Sequence, residues 1–565
     1  MIQLGLSGFY HDSAACIVID GKVIAAIEEE KLSGIKHDSS FPFKAIEWCL
    51  QYTQVSIDEV NMVCWYEDPN LKFNRVKKTL GKWYGLKHTK KFNKFLKKWN
   101  EGEGALEYLL LGIGYDGPIL YTKHHLSHLA FSYYTSPFDK ATGISIDGVG
   151  EWDTMSIVAF NKTKIYERKA LRFPDSLGLV YSTITSYLGF KPNEGEYKVM
   201  GLAPYGDNTL YENIFSKITE NGDAYDILKI KQKYFTWEYS NTDMFTNKLI
   251  KLIGFPPRFE GEPIEQHHKD LAASLQRWYE SKLYFIINRF LMLSTDNNLV
   301  LGGGCAYNAT ANGKIKKTTS VNNLWIPYAP SDAGSAIGAC LYHYHSTLGH
   351  PKVKGGDNQS PYLGPEFTEL DILNELGEIE GLSIYPMDDA MELCTTVAKL
   401  INDGNVIGWF QGRTEFGARA LGNRSILANP HLSDVRDRIN KVIKKREMFR
   451  PFAPSVTIED YSKYFISENP VPYMNQVVMV KSDINIPSVT HVDGTARIHT
   501  VKREDNPLYY DLLREFEKVS GTPILLNTSL NINGETMVND PQKAIWTLQN
   551  SDMDYLVLGN YLISK

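Results

Sequence analysis

Residues Tyr121 to Asp153 read YTKHHLSHLAFSYYTSPFDKATGISIDGVGEWD, a histidine-bearing helix followed by an apolar strand that delivers an acid into a glycine turn. His124 and His128 stand four apart, so on a helix they share one face about 6 Å apart and can reach one cation together, while His125 points elsewhere. The run ATGISIDGVG alternates small and branched apolar residues and stops at Asp147, beside a glycine that lets a ligand approach the backbone. A strand with an acid on its last residue, facing a two-histidine helix, is half of a metal site. The same histidine spacing also serves as an ordinary hydrogen-bonded helix face.

The segments around this stretch alternate strands and helices, which predicts an α/β chain. Ile2–Ser7, Ser13–Asp20 and Lys22–Glu28 form a meander of short strands, with His11 and Asp12 in the first turn. Small residues in such a turn can approach phosphate oxygens closely. Further on, Asp270–Leu293 reads as a long helix feeding NNLVLGGGCAYNATANGKI. There Gly302, Gly303 and Gly304 expose backbone to a base or phosphate, and Asn308 can hydrogen-bond a ribose. This segment is neither the P-loop nor the dinucleotide fingerprint. Lys198 lies in a Gly- and Pro-rich loop, where a polar ligand or plain solvent would explain it equally. Asp332 opens SDAGSAIGACLYHYH, either as an N-terminal cap or as a fourth ligand beside His124, His128 and Asp147. Two imidazoles and two carboxylates suit Fe²⁺, Mn²⁺ or Zn²⁺, and the donors alone do not choose among them.

Beyond Lys354–Gly364, a linker-like KGGDNQSPYLG, the character changes. GRTEFGARALGNRSILANP sets Arg413, Arg419 and Arg424 among glycines, Lys445, Arg446 and Arg450 precede PFAPS, and Arg497 follows. Guanidinium forks match phosphate and carboxylate oxygens, so this density predicts an anion pocket. The strand PILLNTSL brings Asn527 and Ser529 to the same small lobe.

At 565 residues the chain exceeds what one core supports, and two domains are expected. A net charge of −6 gives no global argument for nucleic acid or an anionic membrane. Lys72–Lys98 holds eleven basic residues and no acid, interleaved with aromatics, and reads as a solvated cover or a gatherer of anions. Six widely spaced cysteines without a C-x-x-C pair suit buried thiols in a reducing compartment. The N-terminus lacks a basic leader, and no window reaches 18 uncharged apolar residues, so neither a signal peptide nor a membrane span is expected. No internal repeat is visible.

Taken together, HDSAA (11–15), HHLSHLAFSYY (124–134), DGVGEWD (147–153), GGGCAYN (302–308), SDAGSAIGA (331–339), EFGARALGNRSIL (415–427), REMFRPFAPS (446–455) and LNTSLN (526–531) resemble the O-carbamoyltransferase family of nodulation-factor and antibiotic carbamoyltransferases. The resemblance spans the whole chain. It implies a duplicated α/β domain of the actin-like ATPase fold (ASKHA, Kae1-like) over 1–355, a linker over 356–385 and a YrdC-like α/β domain over 386–565. It further implies that the second domain makes carbamoyl-adenylate from carbamoyl phosphate and ATP, with Mg²⁺ accompanying the nucleotide, and that the first passes the carbamoyl group to the hydroxyl of a small-molecule acceptor. On this reading iron is held by His124, His128, Asp147 and Asp332, and His11 assists proton transfer. Arg419, Lys445 and Arg450 act on the donor, with Arg424, Arg497, Asn527 and Ser529 in the same pocket; Asp12, Lys198, Gly302, Gly303, Gly304 and Asn308 face the nucleotide of the first domain. The implied setting is cytoplasmic, with no nucleic-acid or membrane partner, and is compatible with a homodimer. Threonylcarbamoyl transfer to tRNA and a non-catalytic nucleotide-binding scaffold are the alternatives.

Overall fold

In the computed structural model, which describes residues 1–84, 89–221, 227–240, 244–291, 296–353, 358–377, 379 and 381–565, the opening meander is built as the alternation predicts. Strands β1 (Ile2–Ser7), β2 (Ala14–Ile19) and β3 (Lys22–Glu28) pair antiparallel, while β4 (Met62–Trp65) and β5 (Ile119–Tyr121) add in parallel on the other side of β1. The resulting order is β3-β2-β1-β4-β5.

A second sheet repeats that order. Strands β6 (Lys140–Gly150), β7 (Asp153–Asn161) and β8 (Lys164–Arg172) form an antiparallel meander. After a small antiparallel pair, β9 (Thr219–Asn221) with β10 (Leu228–Ile230), strands β11 (Asn298–Gly302) and β12 (Asn323–Trp325) join beside β6 in parallel, giving β12-β11-β6-β7-β8. The duplication is therefore one of strand order, which explains why no repeat shows in the residues. Both sheets belong to a unit comprising Met1–Glu29, Ser39–Ala311 and Ile315–Gln359.

Two helices in this unit decide where its chemistry sits. The histidine helix, His124–Tyr134, is buried along its whole length, and the helix Asp332–Leu341 packs against it. Small residues make that approach possible: a Cβ at Gly338 would lie 1.9 Å from the Ser127 carbonyl oxygen. The long helix predicted over Asp270–Leu293 runs from Gln266 to Leu291. The basic stretch forms two helices, Pro69–Tyr84 and Thr89–Glu101, and residues 85–88 between them lie outside the described residues.

The other unit comprises Glu30–Asp38, Asn312–Lys314 and Ser360–Lys565. The boundary expected at 355/356 falls in 354–357, outside the described residues, and the segment expected as a linker supplies the helix Glu369–Leu376 and strand β13 (Ser383–Pro386). Its main sheet adds β14 (Ile407–Phe410), β15 (Arg424–Ala428), β16 (Ala453–Thr457), β20 (His499–Val501), β21 (Ile524–Ser529), β22 (Tyr555–Leu558) and β23 (Tyr561–Ser564) in the order β13-β23-β22-β14-β15-β21-β16-β20. A smaller sheet holds β17 (Phe465–Ile466), β18 (Val477–Val480) and β19 (Thr495–Arg497).

Strand alternation divides the apolar side chains of the main sheet between its two faces. Ile407, Trp409, Leu427, Leu525 and Val557 join the helices Ala390–Asn402 and Pro507–Ser520 in one core, while Phe410, Ile426, Leu526 and Leu558 enter the other. Burying each of these large side chains contributes about 1.5–3 kcal/mol. A one-residue slip would exchange the two faces. Among the described residues no helix is long and apolar enough to cross a membrane.

Candidate active site

The chain leaves β5 through Lys123, which makes His124 the first residue of its helix, and one turn later His128 faces the same way. The Nε2 atoms of the two rings lie 3.1 Å apart. Asp147 approaches from the far part of β6, its carboxylate accepting the N–H groups of Gly148 at 2.8 Å and Gly304 at 3.2 Å. Asp332 opens the helix that packs on the histidine helix, so its carboxylate enters from a third direction. Its Oδ1 is 3.4 Å from His128 Nε2 and 3.6 Å from His124 Nε2, while Asp147 Oδ2 is 3.1 and 3.7 Å from the same atoms. One donor atom from each of the four residues lies within 4.8 Å of the others.

These separations suit a shared cation, since two ligand atoms about 2.1 Å from one tetrahedral ion lie roughly 3.4 Å apart. The charges agree. Burial disfavours the imidazolium of His124, yet Asp332, Asp147 and Glu67 outweigh it and raise the ring to about 9. Asp147 is half-buried, and the two histidines hold it well below the usual carboxylate range. A cation would satisfy both carboxylates without asking the imidazoles to carry protons. His128 Nδ1 lies 2.8 Å from Ser335 Oγ, which leaves Nε2 for the cluster when Nδ1 holds the proton. His125 turns away, to Ser145 Oγ at 2.8 Å and the Asp153 carbonyl at 3.0 Å.

The first turn borders this quartet. His11 Nδ1 is 3.2 Å from Asp12 Oδ2, which also accepts the Ser331 hydroxyl at 3.3 Å. Burial pulls His11 down, but Asp12, then Asp332 and Asp147, raise it to about 10.

The remaining residues expected at a ligand in this unit make the following contacts within the chain. A Cβ on Gly302 would meet the His128 carbonyl oxygen at 3.0 Å and one on Gly303 the Ile146 carbonyl oxygen at 2.2 Å, so these glycines seat β11 against its neighbours, and Gly304 spends its N–H on Asp147. Asn308 and Gln276 exchange two amide hydrogen bonds at 2.9 and 3.1 Å. Lys198 rests 5.6 Å from the centre of the Phe190 ring.

In the second unit, burial and the guanidiniums of Arg419, Arg446 and Arg450 push the proton affinity of Arg497 well down. Like charges gathered this way are stabilised by an anion. Lys444 projects into the same field: it is buried, its ammonium donates to the Asn531 side chain at 2.6 Å and the Asn531 carbonyl at 2.9 Å, and it also reaches Ser529 Oγ at 3.3 Å. Burial, Arg446, Arg450 and Lys36 drive its proton affinity well down. Lys445, named from the sequence, is exposed, with its carbonyl accepting from Asn533. Arg424 is fully buried and gives its N–H groups to the carbonyls of Gln411, Asn423, Pro365 and Gly412, with its guanidinium 3.6 Å from the Phe410 ring centre, a structural use of the cation. Asn527 donates to Ser455 Oγ at 3.0 Å and the Ala420 carbonyl at 3.2 Å.

Sequence reasoning passed over Ser335, Glu67, Glu151 and Lys444. A signal existed for Lys444, one of two adjacent lysines ahead of Arg446. The phase was hidden, because Ile439–Ile443 is a widened π-type turn that rotates the residues after it by one position.

A strand order carried twice, with the quartet drawn from β6 and from the two helices His124–Tyr134 and Asp332–Leu341, defines the fold as actin-like. The comparisons with known proteins name the family. Residues 2–341 match the family model described as Carbamoyltransferase N-terminus and residues 398–565 the one described as Carbamoyltransferase C-terminus, and the chain belongs to this carbamoyltransferase family. A Synechocystis protein without a described activity is 37% identical over 100% of this chain and 96% of its own length. Nodulation protein NolNO of Sinorhizobium fredii is 36% identical over 100% of this chain and 83% of its own. The 3'-hydroxymethylcephem-O-carbamoyltransferase of Amycolatopsis lactamdurans is 34% identical over 46% of this chain and 48% of its own. The protein is thus an ATP-dependent O-carbamoyltransferase.

Proposed function

We propose that the two units divide the reaction. The first unit, read as Kae1-like, carries out transfer, and the second, read as YrdC-like, makes the activated donor. Carbamate released from carbamoyl phosphate attacks the α-phosphorus of ATP, pyrophosphate leaves, and carbamoyl-adenylate results; the acceptor hydroxyl then displaces AMP from the carbamoyl carbon. The observation that carries this reading is that one chain holds both a half-buried cluster of like-charged guanidiniums and a quartet of imidazoles and carboxylates. The guanidiniums supply what pyrophosphate departure needs, fixed positive charge where negative charge develops. Arg419, Arg446, Arg450 and Arg497 are the groups assigned to this work, with the Lys444 ammonium held behind them by Ser529 and Asn531.

His124, His128, Asp147 and Asp332 would hold a divalent ion, iron in our reading with manganese or zinc as alternatives, and the bound ion would polarise the carbamoyl carbonyl as a Lewis acid. The chain's own groups do the rest. Ser335 fixes the His128 ring, and the Gly304 N–H keeps Asp147 from turning away. His11 carries its proton at neutral pH beside Asp12 and donates it as a hydrogen bond; taking a proton from the acceptor hydroxyl requires this pair to shed that proton first. The name of the cephem relative, a hydroxymethyl carbamoyltransferase, supports a small alcohol as acceptor. Free, mostly buried cysteines fit a reducing, cytoplasmic setting.

Incubation with ATP and carbamoyl phosphate tests the first half. Pyrophosphate should be released, and its absence even with Fe²⁺ and a candidate alcohol supplied would refute the assignment.

A further inference from the structure

Glu67 lies just beyond β4 and is buried, although the sequence marks it with no motif. Its two carboxylate oxygens face different partners: Oε1 accepts from the ammonium of Lys72 at 2.7 Å, and Oε2 lies 3.7 Å from Nδ1 of His124. That Nδ1 is buried and has no hydrogen-bond partner among the described residues. Lys72 in turn pairs with the buried Glu103. The backbone at His124 is held as well, its N–H donating to Glu151 Oε1 at 3.1 Å, so the ring can adjust only about its own side-chain torsions.

An imidazole that offers Nε2 to a cation must keep its proton on Nδ1, and a buried N–H without an acceptor is destabilising. His128 meets this demand through Ser335. We infer that Glu67, anchored by Lys72, is the positioning residue that accepts the Nδ1 proton of His124 and aims its Nε2 at the metal. This inference rests on the metal reading of the quartet. It also gives Lys72, the first residue of the basic stretch, a place behind the site instead of on a solvated face.

Substitution Glu67→Gln is informative because Lys72 will draw the amide oxygen to itself, which turns the NH₂ group toward Nδ1. The tautomer then reverses, and Nε2 carries a proton where the ion should sit. Mn²⁺ alone, added anaerobically to the full chain and followed by the electron paramagnetic resonance of the free ion, reads the effect without turnover. Glu67→Gln should weaken Mn²⁺ about 10–100-fold, and Lys72→Met, which frees the anchor, should shift affinity in the same direction. Pyrophosphate release from ATP and carbamoyl phosphate should match the wild-type rate in both variants. Affinity within twofold of wild type in either soluble variant would overturn the inference, as would an equal loss of pyrophosphate release, which would mark general damage. Wild-type protein that binds no Mn²⁺, Fe²⁺ or Zn²⁺ would overturn the metal reading and this inference together.

Discussion

Replacing Gly303 by alanine should damage the metal site from a residue that touches no metal. Gly303 has φ 84° and ψ 162°, a region essentially reserved for glycine, where another residue costs about 1–3 kcal/mol. Its added Cβ would also fall 2.2 Å from the Ile146 carbonyl oxygen, the residue before Asp147. Relieving that overlap means moving β11 away from β6, a packing change of the kind that costs about 1–3 kcal/mol more. The sum is about 2–6 kcal/mol. The same movement carries the Gly304 N–H away from Asp147 Oδ2, now 3.2 Å distant. Gly254 supplies the control, because its φ of 93° is equally left-handed but nothing lies within 4 Å of its Cβ position, so alanine there costs only about 1–2 kcal/mol. A kcal/mol shifts Tm by about 2 °C in a domain of a few hundred residues, so Gly303→Ala should lower Tm by about 4–12 °C and Gly254→Ala by about 2–4 °C. Scanning calorimetry combined with an anaerobic Mn²⁺ titration reads both effects. Equal melting shifts, or a Gly303→Ala protein with wild-type Mn²⁺ affinity, would refute the argument.

His128→Ala should leave pyrophosphate release intact and stop carbamoyl transfer, which parallel assays of the two half-reactions measure. Arg450→Ala should do the reverse, slowing pyrophosphate release about 10²–10³-fold as loss of one transition-state donor does. His499, buried beside Ser455 Oγ at 2.9 Å, is depressed by burial to about 3. A depressed histidine contributes stability that is complete above its unfolded value of about 6.5 and declines as pH falls toward 3, by up to about 1.4 kcal/mol per pH unit. His499→Asn should flatten denaturant-measured stability across pH 6.5 to 4, and an unchanged slope would show that His499 is not its source.

The quartet was legible because its residues follow local rules. A four-residue spacing, an acid late in a strand and an acid opening a small-residue helix are all visible one segment at a time, and the structure brings the four together, although β6 runs three residues past Asp147 to Gly150. The groups that support them were not legible. Ser335 looks like any small helix residue, and Glu67 acquires its meaning only when parallel pairing brings β4 and β5 together, leading the chain into the histidine helix. The glycine triplet read as a ligand cradle because an absent side chain looks the same whether the vacant space takes a phosphate or, as at Gly303, a neighbouring carbonyl. Charge alone did not show that Arg424 would be buried against carbonyls, or that a widened helical turn would leave Lys445 exposed and bury Lys444.

The second unit draws Glu30–Asp38 from near the start of the chain, and Lys31 donates to the Glu415 carbonyl at 2.5 Å and the Gly417 carbonyl at 3.2 Å. During synthesis at about 5–20 residues per second, those nine residues leave the ribosome roughly half a minute to two minutes before the last strands they join. Chimeras between relatives should therefore exchange Glu30–Asp38 and Asn312–Lys314 along with everything after Ser360. A single crossover at that point leaves a foreign ammonium to hold the loop that carries Arg419.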